Sequence, residues 1–276
     1  MSAQALLLVL AAAALHAGWN FIVKSSTDRL VAAWAIATMG AVVNLPVLVV
    51  LGLPDRSVAG WLAASAVLHV AYGYALAGAY DRVDLAAAYP IARGTAPLIV
   101  TVVSVPLLGD SVSLLGVAGI FLVTSSLAII GLRHVPSGVS WAVLTGVMIA
   151  AYTLADGAGV RAGDESVRYI AALFVLHSLL FTVVLGVGRR SFSTMRFGLA
   201  RQPRRLLVGG AASAGAYLLV MVAARTTPLG LVAGLRETSA GIGVLAGYAF
   251  LGERVTRQHA IAVAVAVVGG IAIAMS

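Results

Sequence analysis

The sequence predicts an all-α membrane protein in which ten helices cross the lipid bilayer. Of its 276 residues, 61% are hydrophobic and 10% are charged, and the mean hydropathy is +1.03. A soluble domain normally contains about 25% charged residues, so a chain this apolar could not cover itself with polar surface in water. Apolar segments of about 20 residues, the length that crosses the bilayer core, also follow one another along the chain.

Ten such segments are predicted, and charged residues or helix breakers separate most of them. Asp28-Arg29 and Pro54-Asp55-Arg56 are examples of these separators, and the only long connection runs from Arg189 to Arg205. The predicted helices lie at 3–24, 30–52, 58–80, 84–108, 112–133, 138–160, 165–188, 204–225, 228–251 and 256–275.

The basic residues between these segments predict the orientation of the chain. The side reached after the first helix carries twelve of them: Lys24, Arg29, Arg82, Arg133, Arg189, Arg190, Arg196, Arg201, Arg204, Arg205, Arg254 and Arg257. The other side carries four, which are Arg56, Arg161, Arg168 and Arg225. Because cytoplasmic loops carry the excess of Lys and Arg, we expect a multi-pass protein of the cell inner membrane with both termini outside the cytoplasm.

Composition also excludes several classes of site and partner. The chain has no cysteine, which excludes disulfides, thiolate metal sites and a cysteine nucleophile. The net charge of +8 follows from the membrane topology, so we expect the lipid bilayer and no nucleic acid as partner. We also expect no metal and no other cofactor. Met1 to Leu15 contains no positively charged segment, so we do not predict a cleaved signal peptide.

The two parts of the chain, residues 1–135 and 136–276, show an internal repeat. At a shift of 143 residues, Tyr74 aligns with Tyr217, Arg93 with Arg236, and the Leu-Gly-Asp turn at 108–110 with the Leu-Gly-Glu turn at 251–253. Each part contains five predicted helices, an odd number, so the second must be inverted relative to the first. Inverted repeats are common in secondary transporters, where two equivalent halves alternate between outward-open and inward-open states.

Four segments resemble the EamA-type proteins of the drug/metabolite transporter superfamily. They are Leu-His-Ala-Gly-Trp-Asn (15–20), Ala-Tyr-Pro-Ile-Ala-Arg-Gly-Thr-Ala-Pro (88–97), Leu-Leu-Gly-Asp (107–110) and Phe-Leu-Gly-Glu-Arg-Val-Thr (250–256). One departure is Asp110, where the family usually has Glu. The resemblance covers nearly the whole chain and implies two five-helix halves, transport of small metabolites and export rather than import.

Arg93 and Arg236 are the strongest candidates for substrate binding. Each lies eight or nine residues into its predicted helix, which at about 1.5 Å per residue is roughly 12–14 Å deep in a ~30 Å core. An arginine there costs at least about 2.5–3.5 kcal/mol and is expected to face a wet cavity or a partner. If both face a cavity, their forked donors favour a carboxylate or phosphate. The alternative is a structural pair with Glu237 or a backbone carbonyl.

Glu237, His16 and Asn20 are the candidates for proton coupling or for polar groups in the cavity. Glu237 could bind a substrate ammonium or a coupling proton, or form a salt bridge with Arg93. His16 titrates near neutral pH in water, and Asn20 lies one turn further along the same helix. The alternative for this pair is hydrogen bonding between helices, and Lys24 is expected to extend to the interface.

Aromatic and proline residues complete the predicted site. Tyr89, Tyr74 and Tyr217 are predicted to line the cavity, although tyrosines also serve as packing and interface residues. Pro90 and Pro97 are predicted to kink the fourth helix beside Arg93 and to act as a hinge. His69, Tyr72, Tyr152, Asp156 and His177 are weaker candidates, and Asp156 is interpreted as an interfacial residue.

We interpret the chain as a secondary transporter and not an enzyme. It moves small metabolites, anionic or zwitterionic compounds such as amino acids, organic acids or phosphates, by alternating access as a monomer or homodimer. The alternatives are an intramembrane enzyme and a membrane scaffold or sensor. Neither Gly-x-Ser-x-Gly nor His-Glu-x-x-His occurs, which disfavours the first. A scaffold would not need buried cations in both halves.

Overall fold

A computed structural model describes most of the chain. The described residues are 1–24, 26, 28–80, 82, 85–131, 139–163, 165–187, 199–200, 202–239, 242 and 257–276. Of these, 90% are helical and none is in a strand. The α-helices are α1 (Ala3–Lys24), α2 (Arg29–Leu51), α3 (Ala59–Tyr80), α4 (Leu85–Leu108), α5 (Leu114–Gly131), α6 (Val139–Gly163), α7 (Ser166–Val187), α8 (Pro203–Ala224), α9 (Leu229–Arg236) and α10 (Arg257–Met275), and a 3₁₀ turn, Arg56–Val58, precedes α3.

Seven of the described helices are long and apolar enough to cross a membrane, namely α1, α2, α3, α4, α6, α7 and α8. α5 and α10 contain shorter apolar stretches, Leu114–Leu127 and Ala260–Met275. Large apolar side chains face outward, and Leu114 and Val187 are 89% and 85% exposed. Since lipid tails are a favourable environment for such surface, the fold is that of a membrane protein, as predicted.

Local sequence explains where several helices begin and end. The Asp28 carboxylate accepts a hydrogen bond from the Val31 amide at 3.1 Å and so caps α2. Gly52 and Gly109 follow α2 and α4 with positive φ angles of 80° and 69°, a conformation that favours glycine. Pro203 occupies the first turn of α8, where its missing N–H costs nothing.

One predicted helix, 228–251, is interrupted in the structure. α9 ends at Arg236, and the next amides, those of Glu237 and Thr238, bond to the carbonyls three residues back at 3.1 Å each. The Thr238 hydroxyl donates to the Leu235 carbonyl at 2.7 Å, which competes with regular helix bonding. The continuous helix predicted there is therefore wrong at 237–238, and residues 243–256 lie outside the described part of the chain.

Long helices pack in pairs, and glycines permit the closest approaches. α1 packs on α8, α3 on α6, α2 on α7, and α5 on α10. Where α5 crosses α10, a Cβ at Gly119 or Gly269 would lie 2.8 Å from the other glycine's carbonyl oxygen. Small residues at such crossings allow the backbone contact that holds membrane helices together.

Gly210 on α8 supplies a stability prediction with a control on the same helix. An added Cβ would lie 2.6 Å from the Met39 carbonyl carbon of α2, whereas one at Gly215 would meet only Leu15 Cδ1 at 3.6 Å. We expect Gly210→Ala to lower the free energy of unfolding by about 1–3 kcal/mol through overpacking. Gly215→Ala is expected to be neutral or slightly stabilising, because alanine favours helix. Thermal unfolding in detergent compares the two, and equal melting temperatures would contradict the prediction.

Candidate functional site

The centre of the candidate site is a buried ion pair between α4 and the end of α9. Arg93 Nε donates a hydrogen bond to Glu237 Oε2 at 2.7 Å, and the two side chains are 5% and 0% exposed. One partner lies in residues 1–135 and the other in residues 136–276. The structure therefore contains the salt bridge that was one of the two interpretations of Glu237.

Arg236 and Glu237 keep unused bonding capacity although both residues are buried. Arg236 is 3% exposed and Glu237 is 1% exposed. Arg236 Nε and Glu237 Oε1 have no hydrogen-bond partner within the described residues. Burying polar atoms without partners costs free energy. Arg236 Nε is therefore available to donate to a polar ligand or water, and Glu237 Oε1 is available to accept from one. They also lie where the helix is interrupted, a feature of binding sites in many transporters.

A second buried acid, Asp156 on α6, lies among tyrosines. It is 0% exposed, accepts a hydrogen bond from the Tyr169 hydroxyl at 2.9 Å, and accepts another from the Tyr217 hydroxyl. The structure therefore places Asp156 in the protein interior, which its interpretation as an interfacial residue did not anticipate. A buried carboxylate in a membrane protein is expensive and is by default a candidate for function.

Aromatic rings surround this acid. His69 stacks on Tyr152 with ring centroids 4.0 Å apart and lies 5.7 Å from the Tyr217 ring in an edge-to-face arrangement. Tyr72 packs edge-to-face on Tyr152 at 5.6 Å, and His177 lies 5.3 Å from His69. Helices α3, α6, α7 and α8 thus contribute to one aromatic group, which excludes lipid from the carboxylate.

The ion pair and the aromatic group form one interior polar cluster, defined as Arg93, Arg236, Glu237, Asp156, His69, Tyr152 and Tyr217. Tyr152 stacks on His69 and is within electrostatic range of all four charged members. His16 on α1 is also within electrostatic range of Arg93 and Arg236. Such a concentration of charge inside an apolar bundle can bind an ion or a polar solute.

The structure places the other predicted site residues in different surroundings. Tyr217 belongs to the cluster. Tyr74 is not brought to it: its side chain is 37% exposed, and its hydroxyl donates to the Val184 carbonyl at 3.4 Å. Pro97 is a buried residue within α4. The side chains of Tyr89 and Pro90 lie outside the described part of the structure.

His16 and Asn20 make hydrogen bonds within α1. Asn20 Nδ2 donates to the His16 carbonyl at 2.8 Å, and Trp19 Nε1 donates to His16 Nδ1 at 3.2 Å. The bonding between helices that was one alternative for this pair is not among the described contacts. The second ring nitrogen of His16, Nε2, takes part in none of the described hydrogen bonds. His16 is also within electrostatic range of Arg93 and Arg236.

The turn after α4 positions α9. Asp110 accepts hydrogen bonds from Arg161 Nη1 and from the Leu229 amide, each at 2.8 Å. Arg161 Nε also donates to the Ala224 carbonyl at 2.9 Å. Asp110 therefore caps the first turn of α9, where a negative charge is favourable, and Arg161 joins the end of α6 to the end of α8. This arrangement holds the helix that carries Arg236 at its other end.

Sequence reasoning undervalued Asp156, His69 and Tyr152. Asp156 and the two aromatic residues were visible as polar residues in apolar segments, which was the available signal. Their convergence from α3 and α6 depends on helix packing. In the described residues no group of three or more His, Asp or Glu could hold a metal ion.

Comparison with known proteins shows the fold alone. No protein-family model matches the chain, and no curated protein matches it significantly. Among solved structures 29 chains match. One of them, described as "Crystal structure of protein", superposes with a TM-score of 0.77 at 15% sequence identity, over 100% of this chain and 98% of that chain. The fold is thus shared with a solved protein along its whole length.

Proposed function

We propose that the protein is a secondary transporter of small anionic or zwitterionic metabolites. One observation carries the proposal: Arg93, Arg236 and Glu237 are buried together inside an apolar helical protein, and two of their polar atoms have no partner within the described residues. Buried charges with spare bonding capacity are costly. The spare Arg236 donor suits the carboxylate or phosphate of a solute, and the spare Glu237 acceptor suits the ammonium group of a zwitterion. Transport by alternating access explains why such a site lies in the interior.

The proposal includes ten spans in two inverted five-helix repeats of the EamA type, at 1–135 and 136–276. Helix packing supports the repeat. Exchange of the repeats converts the α1–α8 pair into the α6–α3 pair, and both pairs are present. α2 with α7 and α5 with α10 pair with their own counterparts, as a twofold axis in the membrane plane requires. Export across the inner membrane rests on the family resemblance.

A thermal-shift screen of the purified protein tests the proposal. Amino acids, organic acids, sugar phosphates and amphipathic cations are added at millimolar concentration, because stabilisation grows with the logarithm of ligand concentration over Kd. We expect carboxylates or phosphates to raise the melting temperature. Arg236→Ala is the most informative variant, because it leaves the Arg93–Glu237 pair in place. Arg93→Ala is measured beside it.

The control is Arg56→Ala, which removes an exposed arginine from the 3₁₀ turn. It should respond to the ligand as the wild type does. If folded Arg236→Ala keeps the full shift, or if only cations stabilise the wild type, the proposed substrate class is wrong.

A further inference from the structure

The charges of the interior polar cluster balance one another only in part. Arg93 and Glu237 neutralise each other in the 2.7 Å ion pair. Arg236 and Asp156 remain, and neither forms an ion pair with another described residue. Both residues are buried, at 3% and 0% exposure. A buried charge without a counter-charge is costly, so a negative group at Arg236 and a positive group at Asp156 would stabilise the cluster.

The hydrogen bonds of Asp156 leave its charge available to a cation. The Tyr169 hydroxyl donates to Oδ1 at 2.9 Å, and the Tyr217 hydroxyl donates to Oδ2. An ionised carboxylate has about four lone-pair sites, so it can accept further bonds. Neutral hydroxyls orient the carboxylate without cancelling its charge. His69, the basic side chain of the neighbouring aromatic group, donates through Nδ1 to the Ser65 carbonyl at 2.9 Å.

Aromatic faces beside Asp156 suit the same kind of ligand. The Tyr152 ring lies 4.0 Å from the His69 ring and 6.2 Å from the Tyr217 ring, measured between centroids. Ring faces attract cations, and groups of aromatic side chains recognise organic ammonium ligands in this way. The His177 ring lies 5.3 Å from the His69 ring. Its buried Nε2 atom has no hydrogen-bond partner within the described residues and can accept from an N–H group.

We propose that Asp156, Tyr152 and Tyr217 form an ammonium subsite inside the protein. Its ligand is a zwitterion, most simply an α-amino acid, whose carboxylate binds at Arg236. Tyr152 is within electrostatic range of both Asp156 and Arg236, so the two charges can act on one small molecule. The zwitterionic substrate class rests on the proposed function, whereas the contribution of Asp156 to ammonium binding is separately measurable.

Glu237 is the competing acceptor for the ammonium group. Its Oε1 atom has no hydrogen-bond partner among the residues that the structure describes, but Arg93 already balances its charge. Asp156 gains more from a cation, because none of the described ion pairs balances its charge. An ammonium group at Asp156 and a carboxylate at Arg236 would pair every charged member of the cluster.

Thermal shifts of the full chain in detergent, measured with matched sets of ligands, test the subsite. The sets are phenylalanine, hydrocinnamate and phenethylamine; leucine, isocaproate and isoamylamine; and alanine, propionate and ethylamine. In each set the second compound lacks the ammonium group and the third lacks the carboxylate. The dependence of the melting temperature on ligand concentration gives an apparent Kd. We expect at least one amino acid to bind the wild type about tenfold or more tightly than its carboxylate analogue, because it adds a charge-assisted hydrogen bond.

Substitutions locate the group that recognises the ammonium. Asp156→Asn should bind the amino acid no more tightly than its carboxylate analogue, with the affinity for the analogue retained. Glu237→Gln should keep the wild-type preference, as should the control Glu165→Gln, which removes a partly exposed acid. Tyr152→Leu removes an aromatic face but no charge, so it should weaken binding of the amino acid alone. This variant tests the subsite if Asp156→Asn does not fold.

The subsite would be wrong if no amino acid binds the wild type more tightly than its carboxylate analogue. It would also be wrong if folded Asp156→Asn or Tyr152→Leu keeps the full preference, or if Glu237→Gln alone loses it. Absence of the preference with an intact Arg236-dependent shift by carboxylates would overturn the subsite and leave the transport proposal standing. An Asp156-dependent preference without any Arg236-dependent shift would support the subsite and contradict the proposed function instead.

Discussion

Arg93→Met is expected to lower the free energy of unfolding by about 3–5 kcal/mol, because removal of one partner strands a buried charge. The Glu237 carboxylate would stay in an apolar interior with its 2.7 Å contact to Arg93 lost. Glu237→Met should be similarly destabilising, because it leaves the Arg93 guanidinium buried without its carboxylate partner. The double variant should recover most of the loss, since neither charge then remains buried alone.

Equilibrium unfolding in detergent measures the free energies of unfolding of the wild type, the two single variants and the double variant. The matched control is the pair between Glu165, just before α7, and Arg168, in its first turn. Their side chains are 33% and 38% exposed, and removal of this pair should cost about 0–1 kcal/mol. A double variant as unstable as the sum of its two single variants would contradict the prediction. It would mean that Arg93 and Glu237 are not energetically coupled.

Site-directed cysteine labelling is expected to give an all-or-none result for membrane topology. The chain has no cysteine, so each introduced thiol is unique. Ser57, before α3, and Gln202, before α8, are both exposed, and five described helices separate them. A membrane-impermeant maleimide should label Ser57→Cys in intact cells and Gln202→Cys only after permeabilisation.

The labelling pattern distinguishes an inverted orientation from a wrong number of membrane crossings. The opposite pattern would show that the orientation predicted from the basic residues is inverted. Labelling of both positions from the same side would show an even number of crossings between them, which contradicts the ten-span arrangement. Ser113→Cys, exposed after α4, provides a second position on the predicted outer side and should behave as Ser57→Cys does.

The helix positions could be predicted from sequence, and the physical reason is that lipid imposes a minimum apolar length. α1 was predicted at 3–24 and lies at Ala3–Lys24, and α7 was predicted at 165–188 and lies at Ser166–Val187. The interruption after Arg236 was not predictable in this way. Apolar residues lie on both sides of Arg236 to Ser239, so apolar length alone predicts one continuous helix. The break depends on local hydrogen bonds made by Glu237 and Thr238.

The candidate site was predicted in part. Arg93, Arg236 and Glu237 stood out because ionised groups are rare in apolar segments. Tyr74 was chosen for its repeat partner, but Tyr72 packs in the aromatic group instead. Two residues along a helix differ by about 200° in direction, so the two tyrosines face opposite sides. Asp156 was judged by its distance along α6, although burial depends on the neighbouring α7 and α8, which sequence spacing does not reveal.

Solute exchange tests the central claim, transport, most directly. Proteoliposomes are loaded with the unlabelled compound that gives the largest thermal shift, and entry of a trace of labelled compound is followed. We predict transient accumulation of label above its equilibrium level in wild type and with Arg56→Ala, and none with Arg236→Ala. A compound that stabilises the wild type but enters no faster than into protein-free liposomes would contradict transport and indicate a binding protein instead.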